Sequence, residues 1–255
     1  MNKHFTIIIP VYNAEKFVRA SVLSALTQNY DNFDIMITDD ASTDKTNEII
    51  KETIAKFEKK SKAKNIKLIE NNENMKPLYN INNMIRQSDD ETIIVILDGD
   101  DRLFNNNILN KLNDVYSEYN GVWMTCGSYI QDYNVLDRNE NSAPYDYIID
   151  FKTFRKSDNW PLIHLRTFYR KLYMHIKDED LKDDDGKFYS CSCDRAIMYP
   201  MAEMSGNDHY CQILDILYVY TFTNEISEHI IYRENQLSIS EKIKNKTPYD
   251  LLENL

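Results

Sequence analysis

The chain is poor in glycine, with five in 255 residues, at Gly99, Gly121, Gly127, Gly186 and Gly206. They are too few and too scattered to write a glycine-rich phosphate loop of the dinucleotide or P-loop kind. A phosphate would have to be held otherwise, most simply through a metal. Cysteine is equally sparse: Cys126, Cys191, Cys193 and Cys211 include no Cys-x-x-Cys pair. Cys191 and Cys193 have no histidine or further cysteine at zinc-finger spacing, so all four read as free thiols. Nor is there a basic leader before an apolar stretch, or a run approaching the ~20 apolar residues of a membrane span. A soluble, cytoplasmic chain is expected, which could be a segment of a larger protein. Basic residues are outnumbered, 30 against 41 acidic, for a net charge of −11. That balance argues against nonspecific nucleic-acid binding.

What the chain does have is Ile93-Ile94-Val95-Ile96-Leu97 running straight into Asp98-Gly99-Asp100-Asp101. An apolar run without polar alternation suits a strand covered on both faces of a parallel sheet. The carboxylates then stand at its carboxyl end, the edge where open α/β sheets bind ligands. Asp-x-Asp offers oxygen donors to a hard cation such as Mg²⁺ or Mn²⁺ and leaves positions for a phosphate-bearing substrate. A solvated acidic turn is the plain alternative, since Asp and Gly are ordinary turn residues.

The preceding chain alternates strand and helix. Phe5 to Val11 is a strand, Ala14 to Leu26 a helix, and Phe33 to Thr38 a second strand running into Asp39-Asp40-Ala41-Ser42-Thr43-Asp44. A helix from Thr46 to Lys60, a strand from Ile66 to Glu70 and a short helix from Asn80 to Ile85 follow. This order predicts parallel pairing with right-handed crossovers. A helix over 108–119 ends at Gly121, and Val122 to Gly127 is a strand. Residues 133–163 read as a long excursion over the ligand edge. Helices are expected over Thr167 to Ile176 and Asp194 to Met204, a late strand within Ile213 to Phe222, and a polar tail over 234–255.

Three segments at these intervals, Ile9-Pro10-Val11-Tyr12-Asn13, Asp39 to Asp44 and Leu97 to Asp101, together resemble the family 2 glycosyltransferases, whose fold is called GT-A. The resemblance implies a mixed, mainly parallel central α/β sheet flanked by helices. It implies a nucleotide-sugar-binding half over 1–130 and an acceptor and catalytic-base half over 131–233. It further implies metal-assisted transfer of a sugar, with inversion, from a nucleoside diphosphate donor to a hydroxyl acceptor. By the family's pattern Pro10, Tyr12 and Asp40, with Asp39 beside it, hold the base and ribose. A carboxylate that accepts the imide N–H of uracil points to a UDP-sugar. Asp100 becomes the direct ligand of Mn²⁺ or Mg²⁺, Asp98 reaches the ribose or the metal, and Asp101 stands in reserve. A late histidine completes the metal site, His229 first and His209 behind it.

The base that deprotonates the acceptor is carried to Asp194, although Cys193 precedes it where many relatives have glutamate. A second departure lies between the third and fourth strands. Asn74 and Leu78-Tyr79-Asn80 stand where many members have a glycine and Ala-Arg-Asn, and Lys76 is the candidate to replace that arginine. Trp160, His164, Arg166 and Tyr169 are expected at the acceptor, because aromatic faces stack on sugars and a guanidinium grips polar groups. Each of these residues has a structural alternative in capping, turn formation or packing. The acceptor's identity and the oligomeric state are not legible. Rival readings are a sugar nucleotidyltransferase, which Pro10 to Lys16 does not suit because it lacks a basic glycine loop, and an inactive glycosyltransferase-like scaffold. A calcium-binding EF-hand fails at both acidic runs, where the loop positions do not fit.

Overall fold

The computed structural model describes residues 2–119, 121–132, 141–142, 151, 153–156, 160–224 and 233–255. The first half is built as the alternation predicts. Strands β1 (Phe5–Val11), β2 (Phe33–Asp39), β3 (Asn65–Glu70) and β4 (Ile93–Ile96) pair in parallel in the order β3-β2-β1-β4. Helices α1 (Val18–Leu26), α2 (Thr46–Phe57) and α3 (Pro77–Gln87) make the crossovers. Alternation along the central strands divides the core into two layers. Phe5, Ile7 and Ile9 of β1 and Ile93 and Val95 of β4 join α1 and α2 on one face. Ile8, Ile94 and Ile96 meet α3 on the other. Strands buried on both faces can carry no polar alternation, which is why these runs are continuously apolar.

The second half extends the same sheet. After β5 (Arg102–Leu103) and α4 (Ile108–Glu118) come β6 (Met124–Gln131) and β7 (Asn141–Ser142), then β8 (Arg166–Tyr169) with the single-turn α5 (Arg170–Tyr173). Helix α6 (Cys193–Ser205), β9 (Tyr210–Tyr220) and α7 (Arg233–Lys244) complete the chain. β8 lies between β4 and β6 and is antiparallel to both, while β9 runs parallel to β6 and pairs with β5 at the edge.

The segment expected as a helix over Thr167 to Ile176 is instead the end of a strand, through Tyr169, followed by one helical turn. Arg166, Thr167 and Phe168 are all buried, and a short run covered on both faces has no period to separate helix from strand. The stretch expected as a polar tail carries α7, which packs on α6. Ile243 enters the second core layer, the Leu252 amide donates to the Met204 carbonyl, and the buried Arg155–Glu203 ion pair receives the Tyr249 amide. Much of the 133–163 excursion lies outside the described residues. Of its described aromatics, Phe151 and Phe154 are in the core and Trp160 is partly buried against it. Among the described residues no helix is long and apolar enough to cross a membrane.

The carboxyl ends of the neighbouring strands β1 and β4 open on the crevice where such sheets take ligands. Gly99 sits at its floor. A Cβ there would lie 2.9 Å from the Pro10 carbonyl and 2.8 Å from Val11 Cγ2, so the acidic turn can lie against the end of β1 only as glycine.

Candidate active site

A cleft of about 500 Å³ opens at this edge. Pro10, Tyr12, Asp40, Lys76, Asp98, Asp100, Asp101, His164, Arg166 and Asp194 all line it. One wall comes from the ends of β1 and β2. Tyr12 stands exposed at the lip, and buried Asp40 anchors the loop opposite. Asp40 Oδ1 accepts the Asn71 side-chain amide at 2.8 Å and the Met75 N–H at 2.8 Å, and Oδ2 accepts the Lys76 N–H at 2.9 Å. Asp39, also buried, is turned away from the cleft. Its carboxylate accepts from the Ser42 N–H and from Asn47, bracing the turn before α2. Lys76 has φ 74° and ψ 157°, a conformation nearly confined to glycine, and its side chain is exposed at the cleft.

The floor is the acidic cluster. One donor atom from each of Asp98, Asp101 and His164 lies within 4.8 Å of the others, and His164 Nδ1 is 3.7 Å from Asp98 Oδ2. Asp101 is fully buried and accepts the Thr221 N–H at 2.7 Å, while Asp100 accepts the Asn224 amide at 2.7 Å. Burial pushes Asp98 up to about 6, with Asp100 and Asp194 adding to the rise and Arg166 opposing it. Burial first, then Asp100 and Asp98, raises Asp101 well above the usual carboxylate range. His164 moves the other way, held neutral by burial and by the neighbouring Arg166 charge. Crowded carboxylates that resist ionising together, beside a neutral imidazole, form a donor set that suits a divalent cation.

The third part is Asp194, at the start of α6, where Ser192 caps the helix with a left-handed φ of 56°. Asp194 Oδ1 accepts the Arg195 N–H at 2.8 Å, and Oδ2 lies 3.6 Å from Arg166. Arg166 and His164 were expected at the acceptor. The position of β8 in the middle of the sheet seats both on the cleft floor. The guanidinium lies between Asp194 and His164 Nε2, and its Nε donates to the Leu162 carbonyl.

Other expected residues stand elsewhere. Trp160 packs edge-on against Tyr199 under the Arg195 guanidinium, off the cleft. Tyr169 is edge-on to Tyr116 in the core, and His209 stacks on Trp123, remote from the acids. His229 lies outside the described residues. The sequence reading missed Tyr218, Asn224 and Gln236. Tyr218 bonds the Asp98 amide, and Asn224 and Gln236 line the cleft. These three are carried by β9, the turn after it and α7, whose positions follow from sheet order and helix docking rather than from any local motif.

Strand ends bearing acids, an acid–imidazole cluster and a separate carboxylate facing one crevice fit a GT-A fold. The family model for glycosyl transferase family 2 matches residues 6–182, and the chain belongs to that family. It is 36% identical over 124 residues to an uncharacterized glycosyltransferase of Haemophilus influenzae, covering 49% of this chain and 46% of that one. It is 37% identical over 92 residues to a dolichyl N-acetyl-alpha-D-glucosaminyl phosphate 3-beta-D-2,3-diacetamido-2,3-dideoxy-beta-D-glucuronosyltransferase of Methanococcus voltae, covering 35% and 27%. The chain thus spans less than half the length of either relative. Among solved structures, S. aureus TarS 1–349 in complex with UDP-GlcNAc superposes with a TM-score of 0.67 at 18% identity, over 94% of this chain and 65% of that one. The mannosyltransferase PcManGT of Pyrobaculum calidifontis, in complex with GDP-Man and Mn²⁺, gives 0.63 at 18%, over 98% and 66%.

Proposed function

We propose that the chain transfers a sugar from a nucleoside diphosphate donor, a UDP-sugar in the first instance, to a hydroxyl acceptor, with inversion and with a divalent cation. The observation that carries this reading is the convergence in one cleft of the β1 and β2 ends, the Asp98–Asp101–His164 cluster and Asp194. TarS in complex with UDP-GlcNAc and PcManGT in complex with GDP-Man and Mn²⁺ support the reading, since each holds a nucleotide-sugar on a similar fold.

Asp40 offers a carboxylate oxygen to the imide N–H of uracil, Pro10 and Tyr12 flank the base and ribose, and Lys76 offers a cation to the donor's polar groups. Asp98, Asp100 and Asp101 with His164 would hold Mn²⁺ or Mg²⁺, and Asp98 is also within the ribose side's reach. Once bound, such an ion neutralises the charge that develops on the departing diphosphate. Asp194 takes the acceptor hydroxyl proton as that oxygen bonds to the anomeric carbon from the face opposite the diphosphate. The bond from this carbon to the diphosphate oxygen breaks, and its electron pair leaves with the nucleotide. Residues 1–130, joined by His164, serve the donor, and the rest of 131–233 supplies the base and meets the acceptor.

A panel of nucleotide-sugars with Mn²⁺, with and without chelator, scored for nucleotide release, tests this reading. Release from one UDP-sugar that stops on chelation is expected. UDP binding that ignores both the metal and Asp100→Ala would overturn the metal-site assignment.

A further inference from the structure

Each acid of the 98–101 turn is met by a different group from one short segment of chain. The Asp98 amide donates to the Tyr218 hydroxyl at 3.1 Å, the Thr221 amide donates to Asp101 at 2.7 Å, and the Asn224 side chain donates to Asp100 at 2.7 Å. Tyr218 is the hub of this arrangement. It is completely buried on β9, and its hydroxyl, while accepting from the Asp98 amide, faces the carboxylates of Asp98 and Asp101. Its ring lies parallel to His164, with centroids 4.7 Å apart and planes 13° apart. One side chain therefore fixes the main chain of the first acid, orients the second, and sets the plane of the imidazole. These three residues come from the loop after β4 and the segment before β8, and Tyr218 touches both.

We propose that Tyr218 is the positioning residue that makes a single cation site out of Asp98, Asp101 and His164. The proposal rests on the metal-assisted reading above. Groups that orient metal ligands without touching the ion commonly change affinity about tenfold to a hundredfold when removed.

The test is Mn²⁺ titration of the full chain, followed by calorimetry and by the electron paramagnetic resonance spectrum of the bound ion. Tyr218→Phe keeps the ring and its stack on His164 and loses only the hydroxyl. It should weaken Mn²⁺ at least about tenfold and alter the spectrum. Tyr218→Phe and Asp101→Asn should also be non-additive, because both remove one interaction; a merely structural phenol would leave the two losses additive. Unchanged affinity and spectrum in a folded Tyr218→Phe, or strict additivity, would overturn the proposal. If wild type binds no Mn²⁺ with or without UDP, the metal reading itself fails, which is a separate result.

Should Tyr218→Phe not fold, 3-fluorotyrosine placed at 218 alone retains the hydroxyl and reports by fluorine NMR. The resonance should shift on adding Mg²⁺ with the calorimetric midpoint. A resonance unmoved at saturation would overturn the proposal.

Discussion

Arg166 lies 3.6 Å from Asp194, and its side chain is only 9% exposed. The guanidinium is thus a positive charge shared between the proposed base and the acid cluster, since it also acts on Asp98. Asp194 and Asp98 in turn hold this guanidinium more firmly protonated than usual, against the cost of burial. Removing one member of such a pair strands the other charge, at a cost of about 3–5 kcal/mol. Arg166→Leu should therefore lower unfolding stability by about that amount in denaturant titration. Arg166→Lys should recover most of the stability but not the fixed fork that reaches Asp194 and the Leu162 carbonyl together.

Metal-free protein should lose stability as pH rises through the acid range. Asp98 is raised from 3.8 to about 6 in the folded chain, so the native state binds its proton more tightly than the unfolded state does. Its contribution is fully present below the unfolded value and disappears as pH climbs through about 6. Melting curves from pH 4 to 7.5 should fall more steeply for wild type than for Asp98→Asn. Mn²⁺ should raise Tm more at pH 7.5 than at pH 5, because it binds the ionised carboxylate. Equal slopes in the two proteins would contradict this assignment.

Asp194→Asn keeps the shape of the α6 start and removes the proton acceptor. Turnover should fall about 10²–10⁴-fold, the range of general-base contributions. UDP affinity by calorimetry should stay close to wild type. A variant that transfers at the wild-type rate would eliminate Asp194 as the base.

Lys76 occupies a backbone conformation that costs about 1–3 kcal/mol for a side-chain-bearing residue. Lys76→Gly should relieve that strain and raise Tm while weakening UDP binding through loss of the cation. Lys76→Met should weaken UDP without raising Tm. Uridine, which lacks the phosphates, should bind all three proteins alike if the lysine meets the diphosphate.

The first half of the fold was legible because its physics is local. Ile93 to Leu97 and Phe5 to Val11 announce doubly covered strands by composition alone, and the acids after them announce the ligand edge. Pro10, Tyr12, Asp40, Asp98, Asp100 and Asp194 duly line one cleft. Arg166 to Tyr169 escaped as a strand because a four-residue run covered on both faces has no period. Tyr218 escaped for a different reason. A tyrosine among 18 acquires its role only once β9 is placed beside β6 and its hydroxyl meets the Asp98 amide. Gln236 was hidden by the polarity of α7, which buries little of its own surface but docks through Ser240, hydrogen-bonded to Ser192 at 2.8 Å.

In the proposed function the acids after β4 and His164 form one divalent-cation site beside a nucleotide. Anomalous diffraction at the manganese edge, from crystals of the chain grown with UDP and Mn²⁺, measures this directly. The account predicts a single strong peak within ligand distance of Asp98 and Asp101 oxygens and a His164 nitrogen, with the UDP phosphates against it. Bound UDP with no peak there, or a peak held by other residues, would contradict it.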